Sequence, residues 1–167
     1  LGRMTLIALF IIYALLAVPL KSYIQPLVVM IVIPFGLIGA IAGHVAMGQA
    51  MSILSILGFV ALAGVVVNDS LVLVDFINQE RKRGVPLRQA IIEAGALRFR
   101  PILLTSLTTF AGLLPLLFET SLQAQFLIPM ATSLSFGVLF ATFMTLLLVP
   151  AFYTILEDIR EATLRRF

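Results

Sequence analysis

Two long stretches of this chain carry no formal charge. From Ser22 to Asn68, 47 consecutive residues include no Asp, Glu, Lys or Arg, and from Thr120 to Leu156 another 37 do the same. A helix of about 20 apolar residues crosses the hydrocarbon of a bilayer. The first gap therefore holds two spans, and the second holds one span plus a loop. Composition points the same way: of 167 residues, 61% are hydrophobic and only 11% charged, and the mean hydropathy is +1.15. A soluble domain of this size cannot hide that much apolar surface. The expected fold is an all-α membrane protein of five transmembrane helices plus a short cytoplasmic amphipathic helix.

The spans are expected at about 4–20, 27–47, 52–77, 101–118 and 127–156, forming a single transmembrane domain over 1–167. Pro19 and Lys21 close the first, Pro34 lies within the second, and the last is broken or ended near Pro150. Interior prolines are tolerated in membrane helices where neighbours satisfy the freed carbonyls. Between the third and fourth spans lies Glu80-Arg81-Lys82-Arg83-Gly84-Val85-Pro86. Leu87, Ile91, Ala94 and Leu97 then recur at helical spacing, which predicts a surface helix over 86–97. A plain solvated connector is the competing reading. Gly39-x-x-x-Gly43 on the second span, and Ser133, Gly137, Ala141 and Thr145 on the fifth, are small-residue ridges suited to close helix contact.

Basic residues set the expected orientation. With the 78–100 loop in the cytoplasm, Lys21, Arg81, Lys82, Arg83, Arg88, Arg98, Arg100, Arg160, Arg165 and Arg166 all fall inside, and only Arg3 falls outside. The amino end then faces out and the carboxyl end faces the cytoplasm. The chain opens Leu1-Gly2-Arg3-Met4 and enters an apolar run at once, so it is expected to be a piece of a longer protein.

Asp69 is the residue that most suggests chemistry. It lies within the third span, where a carboxylate costs roughly 2.5–3.5 kcal/mol on insertion scales. It is read as an ion or proton site, or as a polar contact between helices. Gly64, Asn68 and Asp75 share one face, with Asp69 about 100° round it, in line with Ala61, Val65, Val72 and Phe76. Asp75 can reach headgroups or Arg81, or is a plain boundary charge. On the fourth span Arg98, Thr105 and Gly112 stand seven apart. Arg98 pairs with a carboxylate in the bundle or is one more cytoplasmic arginine. His44, the single histidine, sits near the outer end of the second span.

Other chemistries lack their signatures. There is no cysteine, no zinc-ligand spacing, no phosphate-binding glycine loop and no nucleophile elbow. The chain is expected to be no enzyme and to need no metal or cofactor. The basic loop is too short to argue for nucleic acid.

Several segments together resemble the resistance–nodulation–division (RND) efflux transporters, in particular the hydrophobe/amphiphile, AcrB-like branch associated with acriflavine resistance. They are Gly58-Phe59-Val60-Ala61-Leu62-Ala63-Gly64-Val65-Val66-Val67-Asn68-Asp69-Ser70, the Gly84, Ala90, Glu93-Ala94 segment, and Arg98-Phe99-Arg100-Pro101-Ile102-Leu103-Leu104-Thr105-Ser106. Pro26 with Ile33-Pro34-Phe35-Gly36, Gly112-Leu113-Leu114-Pro115-Leu116 and Val149-Pro150-Ala151-Phe152-Tyr153 extend the likeness to nearly the whole chain.

The resemblance implies the eighth to twelfth spans of a twelve-helix, proton-driven inner-membrane protomer. It implies a homotrimer that works with a periplasmic adaptor and an outer-membrane channel. Thr105 and Arg98 match the family's relay threonine and arginine, and together with Asp69 and Asn68 they are expected to form the proton relay, pointing into the bundle. The family's relay lysine is replaced by Asn68, followed by an extra carboxylate, Asp69, so the relay is re-wired or coupled to sodium. By itself the piece is expected to transport nothing. One alternative is a non-transporting helical module that assists membrane-protein assembly or protein export. A second is a channel or carrier complete in five helices.

Overall fold

Pro34 divides the second span. It has no N–H to donate, and its ring crowds the carbonyl of Met30. The computed structural model describes residues 2–164, and in it the helix opens at positions 31–32. Helix α2 runs Gln25–Met30 and α3 runs Ile33–Ala46. Together they make one membrane-length element. Before them comes α1, Gly2–Leu20, which stops at Lys21 in a left-handed conformation, φ 48°.

Helix α4, Ile53–Lys82, begins with a reciprocal cap. The Ser55 amide donates to Ser52 Oγ at 3.3 Å, and the Ser52 amide donates to Ser55 Oγ at 3.0 Å. The helix runs past the expected end at 77, because Asn78 and Arg81 find partners on a neighbouring helix. It ends before Gly84, whose φ of 86° suits a residue without Cβ.

The expected surface segment 86–97 is helical, but it is not a separate element. With the fourth span it forms α5, Leu87–Leu117, unbroken at Pro101. A short α6, Leu122–Gln125, leads to α7, Ile128–Leu164, which also runs unbroken, through Pro150. Four residues after each of these prolines stands a threonine that donates to the proline's own carbonyl: Thr105 to Pro101 and Thr154 to Pro150, both at 2.9 Å.

Among the described residues the regular elements are all helical, and five stretches are long and apolar enough to cross a membrane. Helix α7 is the hub, packing against α3, α4 and α5. Its contact with α3 is made through the GxxxG ridge. A methyl on Gly39 would lie 2.5 Å from Phe140 Cβ, and one on Gly43 would lie 2.5 Å from Phe136 Cβ. Close backbone approach is what small residues permit where apolar burial from water gives no drive between helices. By contrast α1 lies at the edge, touching α2 and α4 and burying only Leu16 and Leu20. Arg165 and Arg166, counted in the charge bias, lie outside the described residues.

Candidate functional site: the polar residues of α4 and α5

Helix α4 buries Leu62, Val66, Asp69, Leu73 and Ile77. Their spacing of three and four is a single inward stripe. Asp69 is therefore a member of the packed face, 7% exposed. It lies at the border between this stripe and the line of Ala61, Val65, Val72 and Phe76, whose members are exposed or half-buried while Asp69 is covered. Three carboxylates are buried among the described residues: Asp69, Glu80 and Glu157. Glu80 pairs with Arg83 at 2.7 Å and Glu157 with Arg81. Asp69 has no hydrogen bond or ion pair with any described residue.

The expected companions of Asp69 do not join it. Asn68, one residue earlier and about 100° round, is exposed. Thr105 is exposed as well, with its hydroxyl turned back to Pro101. Thr108 is likewise exposed and donates to the Leu104 carbonyl at 2.8 Å. A side chain placed on Gly64 or Gly112 would meet nothing within 4 Å. Asn68, Thr105 and their glycine neighbours thus belong to uncovered faces of α4 and α5. Arg98 is half-buried. Its guanidinium carbon lies 5.1 Å from the centre of the Phe76 ring, a cation–π contact between α5 and α4. Its Nε is buried with no partner among the described residues, and it forms no ion pair with a described carboxylate.

Hydroxyls outside the expected relay join the helices in the interior. Ser106 of α5 hydrogen-bonds Thr142 of α7, and Ser70 of α4 faces Thr145 of α7 at 3.4 Å. Thr142 and Thr145 are one turn apart, so one edge of the hub meets both neighbours. In the sequence Thr145 belongs to the small-residue ridge of the fifth span, and Ser70 and Ser106 close the Gly58–Ser70 and Arg98–Ser106 blocks.

At the charged end of the bundle, Gln25 and Asn78 exchange side-chain amide bonds of 2.8 and 3.1 Å, and Tyr153 donates to Asn78 at 2.5 Å. Asp75 does not reach Arg81. It accepts from Gln79 at 2.7 Å, while Arg81 crosses to Glu157. His44 is buried, with Nδ1 2.9 Å from the Ala40 carbonyl and Nε2 2.7 Å from Ser55 Oγ. It ties α3 to the α4 cap. Among the described residues no three His, Cys, Asp or Glu side chains cluster as a metal site.

Comparison with known proteins places this arrangement. Residues 2–157 match the profile of the AcrB/AcrD/AcrF family. The swarming motility protein SwrC of Bacillus subtilis (strain 168) is 32% identical over 162 residues, which cover 96% of this chain and 15% of that protein. Crystal structures of a heavy metal efflux pump are similar in fold. One crystal form superposes with a TM-score of 0.84 at 26% identity over 94% of this chain and 15% of the pump. A second gives 0.74 at 29% identity, over 80% and 14%. The chain thus spans about one-seventh of the length of these relatives.

Proposed function

Because the chain belongs to the AcrB/AcrD/AcrF family of RND transporters, we propose that it forms part of the transmembrane proton-translocation bundle of a proton-driven multidrug exporter. It does so in a bacterial inner membrane, with the amino end outside and the carboxyl end in the cytoplasm. It is no enzyme. Its partners are the bilayer, the remainder of the transporter, two further copies in a trimer, and a periplasmic adaptor with an outer-membrane channel. By itself it moves no substrate.

The observation that carries this reading is the unpaired Asp69 on the buried stripe of α4. The other two buried carboxylates are both neutralised by arginine. A carboxylate held at membrane depth without a counter-charge is the kind of group that exchanges a proton or meets a cation when a water path reaches it. The uncovered Asn68 and Thr105 are suited to face the rest of the transporter, where they complete the relay. Arg98, held over Phe76, supplies a fixed positive charge at the end of the same helix pair.

In a transporter containing this segment, Asp69→Asn should abolish most drug efflux and coupled proton movement at unchanged expression. Asn keeps the shape and hydrogen-bonding capacity of Asp but cannot titrate. Thr105→Val should impair efflux, whereas Thr105→Ser should be mild because the hydroxyl survives. Drug susceptibility at matched protein level is the measurement. Wild-type resistance with Asp69→Asn would remove Asp69 from the mechanism and leave only a packing role. Unaltered drug accumulation on deletion of the whole transporter would favour the second reading, a helical module that assists membrane-protein assembly or protein export.

A further inference from the structure

The charged end of the bundle contains a cavity of about 680 Å³ between the end of α1, the start of α2, the end of α4 and α7. That volume lies within the range of small-molecule sites. Four cations line it, Lys21, Arg81, Lys82 and Arg160, against two carboxylates, Asp75 and Glu157.

Those charges are not equally committed. Glu157 takes Arg81 and lies 3.6 Å from Arg160. Asp75 is engaged by Gln79. Lys21 and Lys82 pair with no described carboxylate. Two lysines that pair with no described carboxylate therefore line one cavity. Lys21 is held there by a strained backbone: its φ of 48° is uncommon for a residue with a Cβ. Beside it Ser22 Oγ accepts weak bonds from the Ile24 and Gln25 amides at 3.4 Å, which leaves its hydroxyl hydrogen free to donate.

The other wall is apolar. Leu20, Ile24, Leu156 and Ile159 line it, and Ile24 and Ile159 are more than half exposed. Lys21 directly follows α1, and Lys82 is the last residue of α4. The cavity therefore sits where two membrane-length helices leave the hydrocarbon. Its polar side faces the headgroup layer and its apolar side continues into the bilayer-facing surface.

We propose that this cavity binds the phosphodiester headgroup of an anionic phospholipid. Lys21 and Lys82 neutralise the phosphate, Ser22 donates a hydrogen bond to it, and the acyl chains lie along Ile24 and Ile159. A net positive pocket between membrane helices suits an anionic headgroup, and each basic side chain adds a modest increment to its binding. A zwitterionic lipid gains less, because its own cation opposes the lysines.

Native mass spectrometry of the purified chain in neutral detergent tests this. The ligands are phosphatidylglycerol, phosphatidylcholine with the same acyl chains, and water-soluble glycerol phosphate. Phosphatidylglycerol should bind at least tenfold more tightly than phosphatidylcholine. The double variant K21Q/K82Q should weaken phosphatidylglycerol about thirtyfold, while K21R/K82R retains it. R88Q/R100Q removes the same charge from exposed positions outside the cavity and should leave binding unchanged. Glycerol phosphate should bind at least tenfold more weakly than the lipid. Equal binding of the two lipids, an unaffected K21Q/K82Q, or an equal loss in R88Q/R100Q would overturn the site. Glycerol phosphate as tight as the lipid would overturn the lipid assignment in favour of a soluble phosphate.

Discussion

The Tyr153 hydroxyl of α7 donates to Oδ1 of Asn78 on α4 at 2.5 Å, and that oxygen also accepts from Gln25 of α2 at 3.1 Å. One half-buried acceptor thus joins three helices, beside the Arg81–Glu157 pair that joins α4 to α7 a turn further along.

Tyr153→Phe should lower stability by about 1 kcal/mol, because it removes the donor to Asn78 and the acceptor of a long 3.4 Å bond from Gln25, while Asn78 and Gln25 keep their own pair. Asn78→Ala should cost roughly two to three times as much, since it removes both amide bonds to Gln25 and the acceptor of the Tyr153 hydroxyl, leaving those two only their long 3.4 Å bond to each other. Reversible unfolding in mixed micelles measures both. Equal losses would mean that the network is not shared in this way.

Gly39→Ala should destabilise the bundle by about 1–3 kcal/mol. The new methyl would meet the Phe136 carbonyl oxygen at 2.8 Å as well as Phe140 Cβ, and a backbone oxygen cannot step aside unless α7 moves. Gly112→Ala is the control. Nothing lies within 4 Å of that position, and Ala is the better helix former by about 1 kcal/mol. It should be neutral or slightly stabilising in the same assay. A harmless Gly39→Ala would show that α3 and α7 are less closely seated.

Single cysteines test the orientation, since the chain has none of its own. Gln49 precedes α4 and Lys82 ends it, about 45 Å apart along a 30-residue helix. An impermeant thiol reagent added to intact cells should label Gln49→Cys and spare Lys82→Cys until the membrane is opened. The reverse pattern would invert the topology.

The sequence by itself determined the elements. Charge-free runs as long as those from Ser22 to Asn68 and from Thr120 to Leu156 have one low-energy solution, helices that satisfy their own backbone in lipid. Gly39 and Gly43 marked a ridge where another helix could come close, but not that α7 would supply it. Prolines were legible only in part. Pro34 opened its helix, whereas Pro101 and Pro150 lie within helices that run on through them. What only the tertiary structure decided was which polar groups lie inside. Asn68 and Asp69 are neighbours in the chain, yet one is exposed and the other buried. In a helix apolar on every side, periodicity does not mark the inward face, because lipid and protein interior select the same side chains. The partners of Arg81, Tyr153 and Ser106 lie 76, 75 and 36 residues away along the chain. No local pattern specifies such pairings; they follow from the way α7 is set against α4 and α5.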